Sequence, residues 1–351
     1  MEERILTTKP IKIAAMLTVE VGLDTLKILL ARINIGCVIT LRSKSISSST
    51  ISGYTDVSNF CKNAKLKCIQ VSSYSLSQDN DIACVVEEDI DILLVLGWQR
   101  LIPDWLIKHV KIAVLGSHGS AYGITEGRGR SPQNWALIMG EKKFTLSLFK
   151  IDAGIDSGNI ISERTFEYSC CDNIETSYLK VSWLMAEMIF EVFSYENMNI
   201  FLGKPQQGDA FYLPQRKPDD GMIDWKLDAE SIYNLVRALT NPYPGAFSTC
   251  GNVKVIIWDA IPFKIPVNIS MYSIGEICQI FHNNFFAVKC GNDEFLLIKK
   301  WTSSANWEPV IGSLFNECDQ KEIYSKIIER HYRSYSPVEQ KLHPKILEMG
   351  Q

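Results

Sequence analysis

Short runs of consecutive apolar residues alternate with segments of helical periodicity in the first part of the chain. The run IKIAAM at 11–16 is followed by apolar residues at helical spacing over 20–33, and then by the run CVITL at 37–41. A strand, a helix and a second strand in succession build a parallel sheet, so this opening predicts an α/β fold. Further runs, which suit strands covered on both faces by helices, lie at 69–71, 91–97, 111–116 and 144–151.

The charge of the chain excludes some classes of partner. The 351 residues carry a formal net charge of −4, so no overall attraction draws the protein to nucleic acid or to an anionic membrane. The first charges of the chain are acidic, which is not typical of a signal peptide. No apolar segment reaches the ~18 residues of a membrane span, so no membrane partner is expected.

Two common motifs are missing from the sequence. The turn after the first predicted strand, LTVEVG, lacks the G-x-G-x-x-G pattern, which disfavours dinucleotide binding. The ten cysteines include no C-x-x-C pair, which disfavours a zinc site. Cysteines scattered in this way, without a signal peptide, indicate reduced thiols and a cytoplasmic location.

The second half of the chain divides by composition. A long helix is predicted from the apolar positions between 174 and 192, and from 203 the chain becomes rich in Gly, Pro, Asp and Gln, as linkers are. We therefore predict a first domain at 1–203, a linker and helix at 204–252, a small β-rich domain at 253–305 and a tail at 306–351. Asp228 is the expected N-cap of the helix that follows the linker, and the tail is expected to be helical around 320–332.

One histidine stands in unusual surroundings, in the stretch GSHGSAYGITEGRGRSPQNW at 116–135. His118 follows a buried strand, at the carboxyl end where open α/β sheets place their ligands. Gly116 and Gly119 flank it, and glycines allow a backbone to approach a ligand closely. These surroundings favour a functional histidine over a surface or core one.

Two cations follow the histidine in the same stretch. Arg128 and Arg130 lie just before Ser131, a favourable N-cap residue, and Pro132, a favourable first helical residue. Two arginines beside a helix N-terminus predict an anion-binding site. A solvated loop of charges is the alternative.

A second polar loop, DAGIDSGN, follows the next strand. In a parallel sheet it opens at the same edge as His118, so that either Asp152 or Asp156 could meet the imidazole. A carboxylate beside an imidazole favours its protonated form and fixes its orientation, which suits proton transfer. The pattern does not decide between the two aspartates, and a simple turn is the alternative.

Taken together, these motifs resemble the enzymes that transfer a formyl group from N10-formyltetrahydrofolate to an amine. The resemblance rests on H-G-S, R-G-R-S-P-x-N-W and I-D-A-G-I-D-S-G, on LGWQRLIP before them, and on RKPDDGMIDW through NPYPGAF after them, and it covers about 11–300. It implies a Rossmann-like, parallel-sheet formyltransferase domain followed by a small β-rich, OB-like C-terminal domain. It also implies N10-formyltetrahydrofolate as co-substrate and no metal.

The resemblance assigns roles residue by residue. His118 and Asp156 match the family's catalytic pair. The folate-holding segments match Gln99, Arg100, Leu101, Ile102, Ile151, Asp152, Ala153, Gly154 and Ile155. The substrate side is expected to include Ser117, Ser120, Arg128, Arg130 and Asn134.

Two features depart from the family's pattern. Gly116 stands where the family usually has an Asn that hydrogen-bonds the formyl oxygen, and the loss of such a donor typically costs about 10²–10³-fold in rate. Ser117, Ser120, Asn134 or backbone N–H groups are the candidates to replace it. The segment AYGITEG also replaces a shorter apolar loop that normally touches folate and acceptor.

The sequence favours a nucleotide-linked amino sugar as the acceptor. The local anion site suits a diphosphate, whereas the loop at 42–57 offers only Arg42 and Lys44 as basic residues for a tRNA. Methionyl-tRNA formyl transfer, a folate- or nucleotide-binding module without catalysis, and hydrolysis of the donor to formate stay open. A homodimer through the C-terminal β-rich region is also open, because nothing in the sequence decides it.

Overall fold

The computed structural model describes residues 11–43, 51–195, 197–268 and 270–351. Residues 44–50 of the loop at 42–57, which include Lys44, therefore lie outside the described residues. Two compact units are present, the first comprising 1–118, 146–164 and 179–207 and the second 119–145, 165–178 and 208–351. Each unit is described by itself below.

The first part of the chain alternates strands and helices as the apolar runs predict. The elements, in chain order, are β1 (Ile13–Met16), α1 (Glu20–Leu29), β2 (Cys37–Leu41), α2 (Ser58–Asn63), β3 (Lys67–Val71), α3 (Asp79–Val86), β4 (Ile92–Val95), α4 (Asp104–His109), β5 (Ala113–Ser120), α5 (Gly123–Glu126), β6 (Arg128–Gly129), α6 (Pro132–Ile138), β7 (Lys143–Lys150), β8 (Ile160–Glu167) and α7 (Ile174–Ser194).

Seven of these strands form one sheet in the order β3-β2-β1-β4-β5-β7-β8. The pairs β1–β2, β2–β3, β1–β4 and β4–β5 are parallel. The order reverses after β1, which is the arrangement of doubly wound Rossmann-like sheets. The prediction of a parallel-sheet α/β fold is confirmed.

The core of the first unit explains why its strands are apolar at successive positions. Every residue of β1, β2 and β4 is buried. Helix α1 packs closely on the sheet at Gly22, where a Cβ atom would lie only 1.8 Å from the carbonyl oxygen of Leu96. A residue with a side chain at that position would force the helix away from the sheet.

The remaining elements follow α7 in chain order. They are two 3₁₀ helices (Met198–Leu202 and Pro218–Gly221), β9 (Tyr212–Leu213), α8 (Ala229–Leu239), β10 (Ala246–Cys250), β11 (Val253–Pro262), β12 (Ile277–Ile280), β13 (Phe286–Lys289), β14 (Phe295–Ser303), α9 (Gln320–Ser334) and α10 (Pro344–Met349).

Five of the later strands form a second sheet in the order β10-β11-β14-β13-β12, with antiparallel pairs throughout. The predicted β-rich C-terminal region is confirmed, with β10 as an additional edge strand. Helix α8 precedes the sheet, and its N-cap Asp228 accepts a hydrogen bond from the backbone N–H of Ser231 at 2.7 Å, as the sequence predicts. Among the residues that the structure describes, no helix is both long enough and apolar enough to span a bilayer.

The segment after 203 is more ordered than its composition predicts. Strand β9 pairs in parallel with β6 within the second unit. Tyr212 also donates to the backbone of Lys341 at 2.8 Å and accepts from His343 at 3.0 Å. These hydrogen bonds join segments far apart in the sequence, which composition alone does not record.

The C-terminal tail is part of the core of the second unit. Helix α9 covers the predicted helical region. Helix α10 is not predicted, because its sequence is short and mixed. Trp135 is fully buried in one apolar cluster with Tyr324, Leu342 and Ile346. The indole Nε1 of Trp135 donates to the carbonyl oxygen of Pro214 at 2.9 Å.

We predict that Leu342→Ala lowers the free energy of unfolding by about 2–5 kcal/mol, because it leaves a cavity beside Trp135. Urea denaturation followed by circular dichroism measures the change. Val338→Ala is the matched control, since Val338 is 95% exposed and its truncation should cost little. Equal losses in the two variants would contradict a core role for the tail.

Candidate functional site

His118 lies near the end of strand β5, which extends beyond the apolar run that predicts it and ends at Ser120. The Nδ1 atom of His118 is 3.4 Å from Oδ2 of Asp156, and their side chains are 11% and 21% exposed. Contacts between catalytic groups are often long before substrate binds, so this distance suits a pair that tightens in a complex. Asp156, rather than Asp152, is thus the aspartate that meets the histidine.

The turn that carries Asp156 has an unusual backbone. Asp156 has a φ of 49°, in the left-handed region that side chains other than glycine rarely adopt. Asp152 helps to fold the turn, because its Oδ1 accepts from the N–H of Gly154 at 3.0 Å and from Oγ of Ser157 at 2.7 Å. Gly158 closes it, since a Cβ there would lie 1.7 Å from the carbonyl oxygen of Lys150.

The space beside Gly116 is filled by an apolar side chain. Gly116 is buried, and a Cβ atom built on it would lie 2.7 Å from Cδ1 and 3.0 Å from Cγ1 of Ile151. An asparagine at this position would require Ile151 to move. Gly116, the residue that departs from the family's pattern, is therefore packed against Ile151, one of the residues expected to hold folate.

The two serines near the histidine have different surroundings. Ser117 is half-buried, and its hydroxyl donates to the sulfur of Met185 at 2.9 Å. A thioether is a weak acceptor. Ser120 is fully buried, and its hydroxyl donates to the carbonyl oxygen of Gly123 at 2.7 Å while it accepts from the N–H of Tyr122 at 2.9 Å. The hydroxyl of Ser120 thus helps to fold the loop, and its contact with substrate stays a prediction.

The first predicted folate-holding segment follows β4. The backbone N–H of Gln99 donates to the hydroxyl of Tyr74 at 2.8 Å, and the guanidinium of Arg100 lies 5.5 Å from the centre of the same ring. Leu101 is 60% exposed, so the segment presents an apolar side chain to solvent. Ile102 is buried in the core, which leaves its backbone rather than its side chain for ligand contact.

The second predicted folate-holding segment begins at the end of β7. The N–H of Ile151 donates to the carbonyl oxygen of Val114 at 2.8 Å, so the segment is joined to β5 just before the histidine. Residues Asp152, Ala153 and Gly154 are exposed, and Ile155 is half-buried. The described part of the chain contains no cluster of three or more His, Cys, Asp or Glu side chains that could hold a metal.

The remaining predicted substrate residues belong to the second unit. The N–H groups of Arg128 and Arg130 donate to the carbonyl oxygens of Phe211 and Leu213, both at 3.0 Å. Helix α6 begins at Pro132 as predicted, but Ser131 is left-handed, with a φ of 56°, and its side chain makes no cap hydrogen bond. Ser131 is thus the N-cap residue as predicted, but its left-handed backbone does not aim its hydroxyl at the first helical N–H groups.

Asn134 has a structural position within the second unit. Its side chain is 1% exposed, and its amide nitrogen donates to the carbonyl oxygen of Ala238 at 2.7 Å, which joins α6 to α8. The contact of Asn134 with substrate stays a prediction. Burial of the neighbouring Tyr243 raises the pKa of its phenol, and the positive charge of Arg130 opposes that rise.

Comparison with known proteins agrees with this architecture. The model of the formyl transferase family matches residues 23–192, and the model of the formyl transferase C-terminal domain matches residues 216–307. The chain therefore belongs to the formyl transferase family. Methionyl-tRNA formyltransferase of Thermodesulfovibrio yellowstonii is 34% identical over 182 residues, which are 52% of this chain and 58% of that protein.

Solved structures share the fold at low sequence identity. A multiply substituted variant of HypX from Aquifex aeolicus has a TM-score of 0.60 at 15% identity, covering 92% of this chain and 48% of that one. The N-formyltransferase of Helicobacter canadensis, in complex with folinic acid and dTDP-3-aminofucose, has a TM-score of 0.55 at 15% identity, covering 82% and 99%. The chain spans less than two thirds of the length of the curated relatives that it matches.

We predict that Gly116→Asn lowers the free energy of unfolding by about 1–3 kcal/mol, because Ile151 must leave its position to admit the side chain. Combining it with Ile151→Ala should recover part of the loss relative to the sum of the two single changes. Gly36→Asn is the control, since a Cβ there meets only the carbonyl oxygen of Ile13, at 3.7 Å. Additive losses in the double variant would show that Gly116 and Ile151 do not compete for space.

Proposed function

We propose that this protein transfers the formyl group of N10-formyltetrahydrofolate to the amino group of a nucleotide-linked amino sugar. The observation that carries the proposal is the contact of His118 with Asp156 at the carboxyl edge of a Rossmann-like sheet, in a member of the formyl transferase family. A protonatable ring beside a carboxylate supplies what acyl transfer needs without a metal, namely a hydrogen-bond donor and a proton relay.

The reaction balances as follows. The neutral amine attacks the formyl carbon, a C–N bond forms, and the carbonyl oxygen becomes an oxyanion. Protonated His118 donates a hydrogen bond to that oxygen, while Asp156 holds the ring in the required orientation. The bond between the formyl carbon and N10 then breaks, and the proton lost by the amine reaches N10 through Asp156 and water. The products are a formamide and tetrahydrofolate.

Two exposed segments fit a folate beside this pair. The backbone at Gln99 through Ile102 is held by the Tyr74 hydroxyl, and the segment from Ile151 to Ile155 is held by the turn at Asp152. Backbone N–H and C=O groups can pair with the polar edge of a pterin, and Leu101 and Ile155 offer apolar contact. This proposal assigns binding to the backbone of these segments more than to their side chains.

Gly116 sets the expected efficiency of the transfer. A glycine has no side-chain amide to donate to the developing oxyanion, and the apolar Ile151 occupies the space beside it. We expect a turnover about 10²–10³-fold below that of an enzyme with such a donor, unless backbone N–H groups or Ser117 replace it. If no donor replaces it and turnover is lost altogether, the protein is a folate-binding module without catalysis.

The choice of acceptor rests on charge. Hydrogen bonds hold the backbone of Arg128 and Arg130, and two guanidinium groups two residues apart in the sequence suit a diphosphate. The relative from Helicobacter canadensis, whose structure contains dTDP-3-aminofucose, supports the same class of acceptor. The 34% sequence identity with a methionyl-tRNA formyltransferase supports a tRNA acceptor instead. The net charge of −4 weighs against a tRNA acceptor.

The proposal is tested by following tetrahydrofolate release optically from N10-formyltetrahydrofolate. The acceptors are nucleotide-linked 3-amino and 4-amino sugars, methionyl-tRNA, and no acceptor. Release that requires an amino sugar is the expected result. Release only with tRNA would overturn the acceptor, release without any acceptor would indicate hydrolysis, and folate binding without release would indicate a binding module.

We predict that His118→Ala and Asp156→Asn each lower turnover by at least about 10²-fold, because each removes a member of the proton relay. The thermal midpoint of each variant should stay near that of the parent, which separates a lost reaction from a lost fold. His282→Ala is the control, since His282 is exposed and distant in sequence from the site. Near-normal turnover in either test variant would contradict the assignment.

A further inference from the structure

The chain that leaves α7 returns to the start of β8 within the first unit. Lys204 and Ile160 exchange two backbone hydrogen bonds, at 2.8 and 2.7 Å. The side-chain amide of Asn159 donates to the carbonyl oxygen of Leu202 at 2.8 Å. Gly203 is left-handed, and a Cβ there would lie 2.8 Å from the carbonyl oxygen of Ile160. These contacts fix the backbone just before residue 206.

Gln206 reaches from this fixed segment to the turn that carries Asp156. Its Nε2 donates to the carbonyl oxygen of Asp156 at 2.7 Å and to the carbonyl oxygen of Gly158 at 2.9 Å. Both distances are typical of good hydrogen bonds. Gln206 is itself half-buried, so the bonds are partly shielded from water.

The turn needs support of this kind. Asp156 has a left-handed backbone, which is unfavourable for a residue with a Cβ. Asp152 stabilises the turn on one side through Gly154 and Ser157, and the amide of Gln206 supplies the bonds on the other side. An amide nitrogen carries two hydrogens, and here each has a carbonyl acceptor.

We propose that Gln206 is a positioning residue for the reaction, which holds the backbone of Asp156 so that its carboxylate meets Nδ1 of His118. The proposal rests on the function proposed above for that pair. A carboxylate that is already held in place lowers the barrier because it need not be oriented when the oxyanion forms. Small misplacements can lower the rate by up to about 10²-fold. Nothing in the composition of the 203–208 stretch, which reads as a linker, points to this role.

Kinetics provide the first test. Gln206→Met keeps the length of the side chain and removes both donors, and Gln206→Glu turns the donor into an acceptor that faces two carbonyl oxygens. We expect each to lower kcat by about 10-fold or more, with KM for N10-formyltetrahydrofolate changed less than about 2-fold. Asn159→Leu is the matched control, because it removes a side-chain hydrogen bond to the same segment, and that hydrogen bond does not involve Asp156. An unchanged kcat in Gln206→Met, or an equal loss in Asn159→Leu, would overturn the proposal.

A spectroscopic test separates this proposal from the function on which it rests. In protein labelled with ¹⁵N-histidine, the imidazole signals of His118 are assigned by their disappearance in His118→Ala. In Gln206→Met, the His118 signals should shift toward the positions that they have in Asp156→Asn. In the double variant, Gln206→Met should cause no shift beyond that of Asp156→Asn alone. Signals that stay at the parent positions in Gln206→Met would overturn the proposal.

The two tests distinguish a failure of the proposed function from a failure of the positioning role. If no acceptor supports formyl transfer, the proposed function fails, and the ¹⁵N signals still report whether Gln206 controls the contact between Asp156 and His118. If transfer occurs but the signals and kcat do not respond to Gln206→Met, the positioning role fails alone. Far-ultraviolet circular dichroism and the thermal midpoint verify that each variant is folded, and Gln206→Glu serves as the second variant if Gln206→Met is not.

Discussion

The contact between His118 and Asp156 is the interaction on which the rest of the site depends. It joins the end of strand β5 to the turn between β7 and β8, two neighbours in the sheet. The sheet places the two backbones at one edge, but the sheet alone does not aim the carboxylate. Asp156 lies in a turn with a left-handed backbone, which hydrogen bonds of Asp152 and Gln206 and the close packing of Gly158 hold together.

The surroundings of the pair also restrict its chemistry. The space at Gly116 is taken by Ile151, so the proposed mechanism relies on His118 and on donors other than a side chain at 116. Two of the three proposed substitutes, Ser120 and Asn134, are buried and already bonded to backbone carbonyl groups. The hydroxyl of Ser117 donates to a thioether sulfur, a weak acceptor that a substrate oxygen could replace. These facts favour a slow or specialised transferase over a generalist.

The sheet and the edge at which His118 lies could be predicted from the sequence because both follow from local patterns. Consecutive apolar residues define β1, β2 and β4, and the glycines around His118 mark the end of β5. The pattern could not separate Asp152 from Asp156, since both precede small residues in one turn; the resemblance to the family made that choice. The roles of Gln206, Asn134 and the tail depend on contacts between segments many residues apart, which no local pattern records.

The central claim is that the formyl carbon passes from the folate to an amine beside His118. The most direct measurement uses N10-formyltetrahydrofolate labelled with ¹³C at the formyl group and follows the fate of the label by NMR, with nucleotide-linked amino sugars present. If the proposed transfer occurs, the label appears as a formamide carbon bonded to the sugar nitrogen. Label recovered only as formate, or retained on the folate after it has bound to the protein, would contradict it.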